Sequence, residues 1–342
     1  MAARHAGRRP SPEMKAAMPD PSVLRWQNKT IAAGNDFRGV LAMGLIVAWC
    51  WFAFQLFSLP GFADVAAGLS PLLRFVLAKG RYMPDFGLII AGFAAFHFRR
   101  EFRLGWDRPV ALRLYGRLAL PLAGYALLSF ILFEAIMALA GHRLVLPWAN
   151  PLSAPACWIL ATVLVALALL PSLLSAAWTV IPDVGWAGIA ICIAFFGLSF
   201  QEGFHHYPAL WPLLALFDFT FGVCVCGSLF RAVEYLAAVR GPAIILGWCA
   251  LAAGSILAGP ALLFVGFTMI IGGMAVGERG WYLVGERSLR AWSRTALAIA
   301  LVQPAVLAGW VAWGHVWAGS LGVTAALLAL ATQCLACLLY AA

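Results

Sequence analysis

Apolar residues in this chain fall into long unbroken runs, not into the short alternations of a half-buried strand. The first begins at Asp36-Phe37-Arg38-Gly39 and continues as VLAMGLIVAWCWFAFQLF to Phe57 without a charge. The whole pattern predicts helices near residues 39–59, 85–97, 118–139, 157–175, 184–200, 209–229, 243–258, 260–277, 295–313 and 320–341. Runs of about 20 apolar residues have the length that crosses a bilayer. The expected fold is therefore an all-α integral membrane protein of about ten transmembrane helices. Between the first two runs, SPLLRFVLAKGRY is too short and too charged to cross, which predicts a surface-lying or re-entrant helix.

Composition agrees with that pattern. Hydrophobic residues make up 63% of the chain and charged residues 11%, against roughly 25% charged in an ordinary soluble domain, and the mean hydropathy is +0.90. No attached water-soluble catalytic domain is expected. Arginine and lysine gather in alternate connecting segments, with only Arg74, Lys79, Arg81 and Arg143 on the other side. By the positive-inside rule this predicts both termini in the cytoplasm and an even number of spans. Residues 1–36 form a basic tail without the h-region and cleavage site of a signal peptide, expected to be disordered and cytoplasmic. Residues 37–342 form a single transmembrane domain, expected in the inner membrane. The net charge of +9 would attract anionic lipid headgroups, although a topology signal alone also accounts for it.

The eight cysteines lie in or beside apolar segments. Cys224-Val-Cys226 and Cys334-Leu-Ala-Cys337 lack the flanking histidines and acids of a metal or redox site, so neither a disulfide framework nor a metal site is expected. Arg113 and Arg117 are spaced i,i+4 and share a helix face, with Arg99 and Arg100 nearby in sequence. Guanidinium forks suit phosphate, though an inside loop is basic in any case. Glu134 and Asp218 stand within apolar runs, where a carboxylate is costly and by default a functional candidate. Glu134 lies near the end of its run; Asp218 could alternatively pair with a neighbouring Ser, Thr or Gln. Asp85 can cap its helix. Glu202, His205 and His206 form a small polar cluster that fits a solvated loop.

Four stretches, in order, resemble the membrane acyltransferase-3 family. They are Phe37-Arg38-Gly39; Asp85-Phe-Gly-Leu-Ile-Ile-Ala-Gly92-Phe93; Arg113-Leu-Tyr-Gly-Arg117-Leu-Ala-Leu-Pro121; and the spacing from Trp158 to Pro171. Ser288 to Pro304, ending in Gln303-Pro304, is similar to the family's late span, which ends in His or Gln before proline. The resemblance implies ten spans and transfer of an acyl group, typically acetyl, from cytoplasmic acyl-coenzyme A to an extracytoplasmic saccharide or polysaccharide. It also implies that Arg38, Arg113 and Arg117, with Arg99 and Arg100, hold the phosphates of the acyl donor.

In that family a histidine eleven residues after the first arginine serves as general base on the acceptor hydroxyl. Here that position is Trp49, whose indole nitrogen only donates. Cys50 lies about 100° away around the helix and is a poor substitute. After Trp158 the chain continues Ile159, Leu160, Ala161, Thr162, Val163, where many family members carry polar residues. The leading expectation is an O-acyltransferase in which Asp218, Glu134 or His97 supplies the base or the acceptor needs little activation; the alternatives are a catalytically inactive relative serving as a partner in polysaccharide modification or export, and a lipid or small-molecule transporter. If the arginines hold the donor, replacing Arg38, Arg113 or Arg117 by Ala should weaken acyl-coenzyme A binding by roughly tenfold or more, as loss of a charged hydrogen bond does. Equilibrium binding to the purified chain checks this, and unchanged affinity removes them from the donor site.

Overall fold

The computed structural model describes residues 38–59, 61–98, 120–142, 156–166, 211–257, 260–275, 286–314 and 321–341, and every regular element among them is helical. Helix α1 spans Arg38–Phe57. Ser58 ends it by donating its hydroxyl to the Phe54 carbonyl at 2.7 Å, and Gly61, at φ +88°, turns the chain into the left-handed region that favours glycine. Two short helices follow, α2 at Ala63–Ala67 and α3 at Pro71–Ala78. Proline suits the first position of α3, and the Ser70 hydroxyl accepts the Leu73 N–H at 3.3 Å as a cap. A 3-10 turn, Lys79–Tyr82, leads into α4, Met83–Phe98. Then come α5 at Leu120–Leu139, a helical segment α6 at 156–166, α7 at Trp211–Ile256, α8 at Pro260–Ala275, α9 at Glu286–Gly309 with a π turn at Trp310–Gly314, and α10 at Val323–Ala341.

This corrects the expected membrane architecture. Among the described residues no helix is long and apolar enough to cross a membrane, so the expected ten transmembrane helices are not supported. Individual elements show why apolar runs overstated the count. α4 and α8 have 16 residues each, about 24 Å at 1.5 Å per residue, against a hydrocarbon core of about 30 Å. The runs at 209–229 and 243–258 are one unbroken helix of 46 residues. Arg231, Glu234 and Arg240 stood between those runs, but all three are good helix formers and charge alone does not end a helix. α9 starts nine residues before the run at 295–313 and takes in Glu286, Arg287, Arg290 and Arg294. The run at 184–200 lies outside the described residues, and α6 accounts for part of 157–175.

α1 divides the core into two. Val40 and Val47 face a cluster with Phe86, Ile89 and Phe93 of α4, Phe219 of α7 and Phe267 of α8. On its other side, Ala48, Phe52 and Leu56 pack with Phe62, Ile299 and Leu307 of α9, and Ala329 of α10. Outward, the bundle is strongly apolar: Leu120 and Leu139 of α5, Ile245 of α7 and Leu339 of α10 are between 65% and 80% exposed.

Polar links fasten the second cluster. The Gln303 side-chain amide donates to the Gln55 carbonyl oxygen between α9 and α1, Gln333 of α10 donates to the Ile299 carbonyl at 3.2 Å, and Ser129 of α5 donates to the Leu301 carbonyl. All three reach one short stretch of α9, which becomes the axis of that half. Because Gln303 and Gln333 are fully buried, losing either partner would strand a polar group.

The first cluster is instead built on backbone contact. A Cβ added at Gly92 of α4 would collide with the Phe219 backbone of α7, and one added at Gly222 of α7 would collide with the Ile89 backbone of α4. Gly247 and Gly266 similarly bring α7 against α8, a Cβ at Gly266 meeting the Gly247 carbonyl oxygen at 2.6 Å. Gly92→Ala or Gly222→Ala should therefore destabilise the chain by about 3 kcal/mol or more, at the upper end of overpacking costs. At Gly124 nothing lies within 4 Å of an added Cβ, so Gly124→Ala should be neutral or stabilise by up to about 1 kcal/mol. Denaturant unfolding of the three variants checks this, and equal effects at the three positions would refute the close approach.

Candidate functional site

The contact between α4 and α7 brings together two residues far apart in sequence. Asp85, in the first turn of α4, and Asp218, in the second turn of α7, are hydrogen-bonded carboxyl to carboxyl. Asp85 is 8% exposed and Asp218 6%. Asp85 lies one turn before Ile89 and Asp218 one turn before Gly222, so the close backbone approach sets the separation of the pair. Around the pair the core is aromatic: Phe86, next to Asp85, stacks on Phe267 at 4.0 Å and meets Phe264 edge-on at 5.4 Å.

Two carboxyls in hydrogen-bond contact in an apolar core cannot both ionise, so the pair holds a proton. Burial, then the neighbouring Asp85, hold the Asp218 carboxyl well above its ordinary range. Burial raises Asp85 as well, partly offset by the hydrogen bond from Asp218. The proton belongs to the pair, held between the two carboxyls across their hydrogen bond. Asp218 Oδ2 has no partner. The pair can exchange one proton.

The structure places Asp85, expected to cap its helix, in a buried pair with Asp218. Asp218 was singled out as an intramembrane carboxylate, and its pairing partner is neither Ser, Thr nor Gln. Gly92 and Phe93 belong to the α4 face that meets α7 and the first core cluster. Glu134 stands apart on α5, which packs on α9; its Oε1 is buried without a partner. Trp158, in α6, likewise has an unpartnered buried Nε1. Trp49 is half-buried against the second cluster and meets Phe52 edge-on at 5.9 Å. The position of the expected histidine is therefore occupied by packing. Arg38 opens α1 and His97 falls in the last turn of α4, with their side chains outside the described set. Arg99, Arg100, Arg113, Arg117, Pro171, Glu202, His205 and His206 lie outside the described residues.

Sequence reasoning missed Gln55, the partner of Gln303. Its signal was available, as a single polar residue in the last turn of an otherwise apolar helix. It also missed a partly open cavity of about 230 Å³ between α1, α4, α6 and α9. Gly44, Val47 and Trp51 form one wall, Gly87 and Ala91 a second, and Ala300 part of a third. Asp85 and Asp218 do not line it. On α4 the cavity residues Gly87, Ala91 and Ala94 lie opposite Asp85, Ile89 and Gly92, at 100° per residue.

Because both carboxyls are raised, the folded chain binds protons more tightly than the unfolded chain. The stability this confers is complete below about pH 4, the unfolded value, and is lost as pH rises through the raised folded values. The chain should unfold at a lower temperature at pH 8 than at pH 5. Asp218→Asn, which preserves an N–H donor toward Asp85, should flatten that slope and stabilise the chain at pH 8 by about 1 kcal/mol or more. Melting curves across that range check it, and identical pH slopes in the two proteins would count against the shared proton.

Comparison with protein-family models, with curated proteins and with solved structures finds no match to this chain.

Proposed function

We propose that this chain is a catalytically inactive relative of the acyltransferase-3 family, which keeps an acyl-donor site and serves as a partner in polysaccharide modification or export at the inner membrane. The observation that carries this reading is the packing of Trp49. Where the resemblance calls for a base, an indole lies edge-on to Phe52 in the second core cluster. A saccharide hydroxyl is a weak nucleophile, and a positioned base contributes about 10²–10⁴-fold. The cavity on another face of α1 is lined by apolar residues. Lipid contact fits the exposed leucines of α5 and α10 and the isoleucine of α7, since apolar patches of this extent mark interaction surfaces.

A second reading has one observation in its favour. The Asp85–Asp218 carboxyls share a proton and together would serve as the general base of an O-acyltransferase. Radiolabelled acetyl-coenzyme A incubated with the purified full chain and a panel of oligosaccharides separates the two. The inactive reading expects labelled donor to bind and be recovered intact, with coenzyme A released no faster than in buffer. Turnover that falls 100-fold or more in Asp218→Asn would overturn it in favour of the carboxyl pair.

A further inference from the structure

We propose that the cavity between α1, α4, α6 and α9 holds a medium-length aliphatic chain of about eight carbons, carried by a ligand whose anionic head lies at the arginine-bearing end of the bundle. This names the ligand class of the donor site in the preceding reading and rests on that reading for the coenzyme A head alone.

The interior of the cavity has the character of its ligand. Val47, Trp51, Leu88, Ile90, Ile159 and Val163 present hydrocarbon and ring surface, and glycines and alanines supply the room. Apolar cavities of about 150 Å³ stay dry and take up apolar guests, and this one has about 230 Å³. At about 30 Å³ for each small heavy-atom group, as for liquid water, it accommodates about eight such groups. An acetyl group would leave most of it empty. A coenzyme A pantetheine arm, with two amides, would find no lining partner and would lose hydrogen bonds on entry.

Helix register gives the cavity a direction. A Cβ at Gly44 would meet Ile90 at 3.5 Å, and one at Gly87 would meet Val47 at 3.8 Å. Rising numbers on α1 match falling numbers on α4, so these helices are antiparallel. One end of the cavity is therefore at Gly44 and Ala94, the other at Trp51 and Met83. Gln303 meets Gln55, whereas Ala296 and Ala300 share the cavity with residues that precede Gln55. Hence α9 runs parallel to α1, and its opening turns come to the end where α1 begins. Arg38 is the first residue of α1, and Arg287, Arg290 and Arg294 stand in the first turns of α9. An apolar slot between helices whose opening turns carry arginines in sequence suits an anionic amphiphile, with its head toward those helix starts and its tail toward Trp51.

The test compares binding of acetyl-coenzyme A, octanoyl-coenzyme A and free octanoate to the full chain exchanged into amphipol. Each buried methylene is worth roughly fourfold in affinity, so octanoyl-coenzyme A should bind at least 100-fold more tightly than acetyl-coenzyme A. Gly87→Leu and, from the facing helix, Ala300→Leu fill the cavity and should each reduce that ratio tenfold or more. A variant that misfolds loses both thioesters alike and is replaced by Gly87→Ala, whose added methyl meets only Val47. Equal affinity for the two thioesters, or a ratio that survives both leucine substitutions, would overturn the assignment. Octanoate that binds in a Gly87-dependent manner while neither thioester binds would uphold the chain site and refute the coenzyme A reading. Absence of binding by all three would refute the chain site.

Discussion

Helices α4 and α7 touch backbone to backbone at Gly92 and Gly222, and the arrangement of the first core cluster follows from that contact. Any side chain at either position would separate the helices by the width of a methyl group. Separation would take Asp85 and Asp218 out of hydrogen-bond reach, since both are short side chains with little length to compensate. A carboxylate left alone in this aromatic surrounding would carry its whole desolvation penalty, whereas paired with a protonated neighbour it shares one proton and one charge. Close packing and proton sharing are therefore one device: the glycines permit the pairing, and the pairing makes two buried acids tolerable.

The second cluster solves its problem differently. Its contacts use side-chain amides and hydroxyls aimed at the carbonyls and amide of one stretch of α9, around Ile299 to Gln303. Proline at 304 removes a backbone donor from the same region, as proline does within any helix. A helix locally weakened in its own ladder is thus held from three sides by neighbours. α1 joins this half to the other, because Val40 and Val47 serve one core and Ala48, Phe52 and Leu56 the other. Its uniform hydrophobicity reflects burial on two faces. That accounts for the lack of an amphipathic stripe without requiring a surrounding bilayer.

The same ambiguity limited what could be read from the residues. Helical character was legible, since long apolar runs without alternation exclude strands, and starts such as Arg38 and Met83 fall within a residue or two of the runs. The number of membrane spans was not, because a helix covered on all sides by protein and one covered by lipid have the same composition. Likewise the junction at Arg231 to Arg240 carried charge and is followed by Gly241-Pro242, yet the helix continues through both. Asp85 and Asp218 were each conspicuous as acids in or beside apolar runs, yet their partnership joins residues 133 positions apart by number. No local pattern encodes such a pairing. The cavity was invisible for a related reason: it is a difference between what four segments supply and what their spacing needs, and no single segment contains it.

α4 is the wall common to the two features that bear on chemistry. One face carries Asp85, Ile89 and Gly92 against α7; the opposite face carries Gly87, Ala91 and Ala94 along the cavity. A carboxyl on one side of a helix about 10 Å across cannot reach a reacting carbon on the other. Direct proton transfer between the pair and a ligand in the cavity is therefore excluded while α4 keeps its present orientation. A ligand can still influence the pair mechanically, since displacing α4 toward α7 is blocked by the glycine contacts and displacing it away loosens the hydrogen bond. The cavity and the carboxyls thus share a rigid element but not a reaction coordinate. That separation is a physical reason for placing binding ahead of catalysis in this chain.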